Sequence, residues 1–503
     1  MKISVIGVGY LGAVHAAGMA ELGHDVVGLD VDARRVRQLE AGRAPFHEPG
    51  FDETLRRGLD LGRLRFTTEY EDIAGADVHF LGLGTPQRAD GFGADLASLH
   101  AAVDALAAVL PARDGSPTLV VGKSTVPAGT ARGLAERLER IEGVRLLWNP
   151  EFLREGFAVG DTLEPDRVVY GVRDPEAADA EIRMLDTVYA PILDGGTPRL
   201  VMGYEAAELV KVSANAFLAT KISFINAISE LCEATGADVT DVSRALGMDD
   251  RIGSRFLRAG VGFGGGCLPK DIRAFIASAE DLGVGQSLGF LREVDAINQR
   301  RRVRVVELAR EMLGPLRGRR ITVLGAAFKP DSDDVRDSPA LEVASRLMAA
   351  GAHVTVTDPE ALKNARGHVE GLVTVEDTAE ALRGAELVLL LTEWRRYRDL
   401  DPSVAAELVA APRIIDGRAV LDPRTWRAAG WELRALGRPD APAPAGTQAG
   451  TAGQPAAHEP PAAHEPPAAH EPPAAHEPPA AHGRAAAAST AGPDPAAPLL
   501  SRG

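Results

Sequence analysis

The chain has 503 residues, enough for two or three domains that each bury a core. Its 45% hydrophobic and 25% charged content is that of a soluble globular protein, and a net charge of −16 argues against nucleic acid or an anionic membrane as main partner. No apolar run approaches the roughly 18 residues needed to span a bilayer.

The stretch after Met1-Lys2 lacks the apolar core and cleavage site of a signal peptide. Two cysteines, Cys232 and Cys267, cannot make a disulfide framework, so a cytoplasmic location is expected. The first 30 residues predict strand, turn, helix and strand: a β-branched run at 3–6, a glycine-rich turn, a small-residue helix from about 12 to 22 stopped by Gly23, and a strand at 25–29. Further strands are expected at 78–83, 118–121, 145–148 and 167–170, with helices at 95–110 and 130–140 between them. Alternation of this kind implies a parallel, doubly wound α/β sheet.

From about Tyr204 the pattern changes. Residues 205–235 form a long helical stretch without glycine or proline, and a second one, 271–313, is interrupted around 283–289. Both read as a buried or interfacial connector. At Arg319 the α/β alternation restarts, with strands expected at 321–324, 354–357, 387–391 and 413–415. After about Arg438 the composition collapses to Ala, Pro, His, Glu and Gly, and His458, His464, His470, His476 and His482 recur every six residues. Proline pairs bar helix and sheet, and the repeat has no large apolar side chain to bury, so a disordered, solvated spacer is expected rather than a weak metal site.

Three constellations carry chemistry. Gly7-Val8-Gly9-Tyr10-Leu11-Gly12 follows a strand and opens a helix. Gly7 suits the tight turn, Gly9 lets backbone approach a pyrophosphate, and Gly12 allows helix to pack closely on strand. Asp30 closes the second strand, where a carboxylate accepts from a ribose 2′-OH and repels a 2′-phosphate, which favours NAD over NADP; Arg34 and Arg35 stand close by.

The second constellation is Gly260-Val261-Gly262-Phe263-Gly264-Gly265-Gly266-Cys267-Leu268-Pro269-Lys270-Asp271. Its glycines predict a loop that side chains do not obstruct, so that a ligand can reach the backbone. Pro269 suits the first position of a helix, placing Cys267 beside a helix N-terminus, where dipole and Lys270 would favour the thiolate. Asp271 serves either as a first-turn acid or in proton handling at the thiol. Cys232, mid-helix, reads as a small buried hydrophobe. The third is Lys211 and Asn215, at i and i+4 on the long helix, which can face one cleft and stabilise an oxyanion; without other context Lys211 reads as a solvated face residue.

Together with Lys123-Ser-Thr-Val-Pro127, Asn149-Pro-Glu-Phe-Leu-Arg-Glu155, Pro165-Asp-Arg167 and Phe328-Lys329-Pro330, these motifs make the chain resemble the UDP-glucose/GDP-mannose dehydrogenase family from Met1 to about Leu436. The resemblance implies two Rossmann-like domains joined by a long central helix: an NAD-binding domain at 1–203, a dimerising and catalytic region at 204–313, and a nucleotide-sugar domain at 314–437, followed by the tail 438–503. It implies a homodimer or higher homo-oligomer, and NAD-dependent four-electron oxidation of a nucleotide sugar through a thiohemiacetal and thioester on Cys267.

By position, the resemblance assigns Lys211 and Asn215 to oxyanions, Asp271 to thiol or water chemistry, and Thr125 and Glu151 to water. NAD is expected on Gly7, Gly9, Tyr10, Leu11, Gly12, Asp30, Arg35, Thr85, Pro86, Thr125, Glu155, Lys270 and Arg336. The substrate is expected on Glu151, Phe152, Leu153, Arg154, Lys211, Asn215, Phe263, Gly264, Gly265, Phe328, Lys329 and Arg418, with Arg251 reaching the neighbouring subunit's substrate. Three positions depart from the family: Gly266 where Ser or another small residue is common, Gly84, and Ala419 after Gly417-Arg418 where Asn is frequent. The sugar implied is UDP-glucose, ahead of GDP-mannose or a UDP-N-acetylhexosamine. A two-electron hydroxyacid dehydrogenase and a non-catalytic NAD-binding scaffold are the alternatives of other classes.

Overall fold

The structure, a computed structural model, describes residues 1–112 and 117–439. The histidine repeat, expected to form a disordered tail, lies outside the described residues. The first sheet contains β1 (Lys2–Ile6), β2 (Asp25–Leu29), β3 (Leu64–Thr67), β4 (Val78–Leu81), β5 (Thr118–Gly122), β6 (Val144–Trp148), β7 (Val168–Val172) and β8 (Arg199–Gly203). Their order is β3-β2-β1-β4-β5-β6-β7-β8, so the first six strands follow the doubly wound dinucleotide-binding arrangement. One junction departs from the expected all-parallel sheet: β7 meets β6 antiparallel, with Trp148 opposite Gly171.

The second sheet contains β9 (Arg320–Leu324), β10 (His353–Thr357), β11 (Val373–Thr374), β12 (Leu387–Leu390), β13 (Arg413–Asp416) and β14 (Glu432–Ala435), in the order β11-β10-β9-β12-β13-β14. All its pairings are parallel, and it repeats the winding of β1–β6. The central strands carry unbroken apolar runs because both faces are covered: Val5, Ile6, Phe80, Val121, Val323, Leu389 and Ile415 are fully buried.

Between the sheets runs the 32-residue central helix Tyr204–Thr235, stopped at Gly236 in the left-handed conformation. The thiol helix Leu268–Asp281 and the connector helix Phe290–Leu313 pack against it through Ala216, Ala219, Phe263, Ile272, Ile276, Leu291 and Val294. Cys232 is buried with Ile225, Val239, Leu257 and Ala259, as its apolar surroundings predict. Among the described residues no helix is long and apolar enough to cross a membrane.

Candidate active site

The cofactor turn comes first. Strand β1 ends at Ile6, and the helix Tyr10–Glu21 begins after only three residues. Gly7 turns at φ +86, and a Cβ on Gly12 would lie 1.9 Å from the Gly7 carbonyl oxygen. A Cβ on Gly9 would meet no atom within 4 Å, so the approach to this turn is open. The helix N-cap, Gly9, makes no side-chain capping bond and the first turn holds no acidic residue, which leaves the positive end of the helix suited to an anion. Asp30, at the end of β2, accepts from Asp32 N at 3.0 Å and Arg35 Nη1 at 2.9 Å. These residues fit a dinucleotide: free N–H donors for the pyrophosphate, and a carboxylate held by one half-exposed arginine.

Cys267 is the N-cap of the thiol helix, with Leu268 as first helical residue and Pro269, expected there, in second place. The loop before it corrects two expectations. Its glycines do not leave an open path for a ligand; they admit protein groups. A Cβ on Gly262 would lie 2.3 Å from Asn298 Oδ1, one on Gly264 2.2 Å from the Asp337 carbonyl, and one on Gly266 2.2 Å from the Arg336 guanidinium carbon.

The thiolate expectation is corrected as well. Lys270 Nζ is paired with Asp271 Oδ1 at 2.5 Å, so its charge is spent on that carboxylate. The thiol is reached by solvent from an open side of the cleft, while the rest of its surroundings is protein. That crowding, with Asp271 and Glu151 close by, pushes the thiol up to about 11 against the opposing pull of Lys211.

Lys211 and Asn215 are both buried, not solvated. Lys211 Nζ pairs with Glu151 Oε1 at 3.0 Å, and Asn215 Nδ2 donates to Asp271 Oδ2 at 2.6 Å. Burial pushes the Lys211 ammonium down, but Glu151, the Cys267 sulfur and Asp271 outweigh it and hold the ammonium above its ordinary value. Glu151 Oε2 also accepts from Leu153 N at 2.6 Å, which fixes the carboxylate toward the cleft. Thr125 is held through its carbonyl by Thr85 Oγ1 at 2.7 Å, and Pro86 follows in the same loop. Phe152 lies beneath the Arg167 guanidinium, 3.9 Å from ring centre, and Arg154 is tied to Asp161 at 2.5 Å.

The second sheet supplies the opposite wall. Phe328 packs its ring on Gly265. Lys329 Nζ donates to the Glu155 carbonyl at 2.5 Å, and Arg336 Nη2 lies 3.5 Å from Glu155 Oε1 and 2.6 Å from Asp334 Oδ2. Burial, then Asp334, push Glu155 up to about 7, while Arg336 and Lys329 oppose them. Arg418 donates to the carbonyls of Leu391, Gly262 and Phe328 at 2.7, 3.2 and 3.1 Å, so in this structure it clamps the thiol loop to the second sheet. Arg251 is 89% exposed and paired with Asp249, outside its own chain's cleft.

Several groups that hold the site were not singled out from the sequence. Asn298 grips Phe263 from both sides, accepting from its N–H at 2.7 Å and donating to its carbonyl at 2.9 Å, and Arg302 Nη2 donates to that carbonyl at 2.8 Å. Glu48 is buried, accepts from Gly156 N and Ala158 N at 2.6 and 2.7 Å, and takes the Tyr10 hydroxyl as well. Lys123, quoted from the sequence only within a motif and given no role there, is buried and donates to Asn149 Oδ1 at 2.9 Å, joining the ends of β5 and β6. No periodicity announces Glu48 or Asn298; the helical spacing of Glu208 to Lys211 and Asn215 was the one available signal for a further face residue.

A dinucleotide turn, a thiol at a helix head and a paired lysine beside it define the class: an NAD-dependent dehydrogenase with a thiol in its cleft. The family models agree along the chain: UDP-glucose/GDP-mannose dehydrogenase family, NAD binding domain at residues 1–193, central domain at 205–300 and UDP binding domain at 322–423. The chain belongs to the UDP-glucose/GDP-mannose dehydrogenase family, with NAD as cofactor and a nucleotide sugar as substrate. It is 40% identical over 449 residues to a UDP-glucose 6-dehydrogenase of Rhizobium meliloti, covering 88% of this chain and 100% of that one. Against the Bacillus subtilis UDP-glucose 6-dehydrogenase YwqF it is 38% identical over 444 residues, 87% and 98% of the two chains. A solved UDP-glucose dehydrogenase from Pyrobaculum islandicum superposes with a TM-score of 0.76 at 41% identity, covering 86% of this chain and 98% of that one.

Proposed function

We propose that this chain oxidises UDP-glucose to UDP-glucuronate, with Cys267 holding the sugar carbon between two oxidations. The observation that carries the reading is the convergence of Lys211, Glu151, Asn215 and Asp271 on one solvent-reached thiol. An enzyme that stopped at the first oxidation would need no thiol there. The choice of sugar is supported by the UDP-glucose named for relatives at 36–41% identity, against 26% for a UDP-D-ManNAc dehydrogenase from Pyrococcus horikoshii.

When bound, NAD supplies the hydride acceptor, twice per turnover. The chain's own residues do the rest. Gly7, Gly9, Tyr10, Leu11, Gly12 and Asp30 hold the dinucleotide, and Lys211 steadies the oxygen that gains charge at C6. The Cys267 sulfur adds to the aldehyde carbon, with Asp271 as the carboxylate closest to hand for its proton, and traps a reactive aldehyde as a thiohemiacetal. Loss of a second hydride and the hydroxyl proton leaves a thioester, which water held by Thr125 and Glu151 hydrolyses. Arg336 and Glu155 belong to the nicotinamide end, and Phe152, Leu153, Arg154, Phe328, Lys329 and Arg418 to the substrate end.

The chain is further read as a cytoplasmic homodimer. Phe217, Phe224 and Leu231, seven residues apart, leave an exposed apolar stripe along the central helix, with Leu209 near its start. A second copy on this stripe would cover it and bring Arg251 toward the partner's cleft. Light scattering should give a dimer, and the pair Phe217→Glu, Phe224→Glu a monomer; a monomeric wild type refutes the stripe's role.

The deciding assay follows NADH with purified full-length chain and each nucleotide sugar. Two NADH per uronate from UDP-glucose are expected. Activity with GDP-mannose alone would sink the sugar assignment, and acid formation by Cys267→Ser would sink the thioester.

A further inference from the structure

The central helix turns a third residue toward the catalytic segments. Glu208 precedes Lys211 by one turn and Asn215 by two, so the three share one face. Its carboxylate is buried, and each oxygen accepts a backbone N–H: Oε2 from Gly129 at 2.7 Å, Oε1 from Ala131 at 2.6 Å. These N–H groups open the helix Thr130–Leu138, whose N-cap Gly129, at φ +95, has no side chain with which to cap it. A carboxylate 77 residues further along the chain does that work instead.

The capped helix begins where the Lys123-to-Pro127 segment ends. The near end of that segment is already tied to the β4 loop, by Ser124 Oγ to the Leu83 carbonyl at 2.7 Å and by Thr85 Oγ1 to the Thr125 carbonyl at 2.7 Å. Its far end is tied by Glu208. One helix face therefore grips three segments: Glu208 the one carrying Thr125, Lys211 the one carrying Glu151, and Asn215 the one carrying Asp271 and Cys267. Nothing at the surface explains a carboxylate buried here. Arg132 and Glu205 pair these same two helices in solvent, at 2.6 Å, and already tie the helices together.

We propose that Glu208 is a positioning residue that sets the Thr125 segment in register with the Cys267 thioester, and so governs hydrolysis rather than either oxidation. The inference rests on the thioester reading above. In the step concerned, water oxygen bonds to the thioester carbon and the carbon–sulfur bond breaks. The uronate carboxylate departs, and of the two water protons one returns to sulfur and one goes to solvent.

Glu208→Gln tests it, since the amide keeps the size but turns one acceptor into a donor facing an N–H. The full chain is mixed with UDP-glucose and NAD, acid-quenched, and weighed intact. The variant should accumulate an adduct on Cys267 at least about fivefold above wild type, show an NADH burst, and lose about tenfold in kcat with both KM values falling alongside, so that kcat/KM stays within about twofold of wild type. Glu205→Gln, which loosens only the surface pair, should partition like wild type. If Glu208→Gln folds poorly, Glu208→Asp, which keeps the charge but shortens the reach, should show an intermediate adduct level.

An adduct level equal to wild type in Glu208→Gln or Glu208→Asp overturns the inference, as does a rise in KM at unchanged kcat. A Cys267→Ser variant that still forms acid overturns the thioester reading itself, and with it this inference. Since that variant retains Glu208, the two failures are distinguishable.

Discussion

At the end of β1 the N–H of Gly7 donates to the Leu29 carbonyl at 2.8 Å; at the end of β9 the N–H of Gly325 donates to the Thr357 carbonyl, also at 2.8 Å. Both glycines have positive φ, and both sheets wind in the same order. From there they diverge. The first turn runs straight into the helix Tyr10–Glu21, with its N–H groups uncapped. In the second sheet the helix waits until Pro339, capped by its own Ser338, and the residues between form the wall of Phe328, Lys329 and Arg336 over the thiol loop. The acids after the second strand diverge too. Asp30 accepts one backbone N–H and one half-exposed guanidinium, whereas buried Asp358 accepts from Ala326, Ala327, Glu360, Ala361 and the Trp394 indole. One frame therefore keeps its polar groups for a dinucleotide, and the other uses them on itself and turns its loop toward a neighbour's chemistry.

Removing the two acids breaks the comparison most sharply. Asp358→Ala strands five donors, most of them buried, and should lower stability by about 4 kcal/mol, seen as a fall in the denaturant midpoint. Asp30→Ala should leave that midpoint within about 0.5 kcal/mol but weaken NAD binding by about 10–100-fold, read by titration. Equal destabilisation by the two changes would mean that the acids do the same job.

The comparison also explains what could be read from the chain alone. Ten strands were legible as apolar runs, and the four that were not, β3, β8, β11 and β14, are the edges of the two sheets. An edge strand is covered incompletely, so Arg199–Gly203 and Glu432–Ala435 mix polar with apolar residues and do not read as buried. The site was legible where chemistry demands rare patterns, as in the Gly7 turn and Cys267. It was not legible where tertiary contact decides: Asn298 and Asp337 fill the space left by glycines, and no spacing links them to residues 262 and 264.

The next effect sets burial, with the carboxylates of Asp271 and Glu151, against the cations around the thiol. With the thiol pushed up to about 11, less than one thousandth of Cys267 is thiolate at neutral pH. Its ligand-free alkylation by iodoacetamide should climb about tenfold per pH unit through pH 9, with no plateau below about pH 10. A plateau near pH 7 would show that Lys329, Arg336 and the helix dipole prevail over Asp271 and Glu151. Gly266→Ser probes the same contact from the other side. The added side chain must displace the Arg336 guanidinium, a flexible end, so KM for NAD should rise about fivefold with little change in the unfolding midpoint. An unchanged KM would detach Arg336 from the nicotinamide end.

The smallest expected effect lies in the second sheet's own loop. Ala419 has φ +54, a left-handed conformation that costs an L-residue with an ordinary side chain roughly 1–2 kcal/mol. Asparagine tolerates that region, because its short amide can bond locally. Ala419→Asn should therefore gain about 0.5–1 kcal/mol in denaturant unfolding, without touching Arg418 or the cleft. Glycine removes the same strain but frees the unfolded chain, so Ala419→Gly should gain less. If both variants lose stability, the strain assigned to this turn is not there, because either substitution relieves a left-handed alanine. If glycine gains more than asparagine, the half-buried amide finds no partner in this turn.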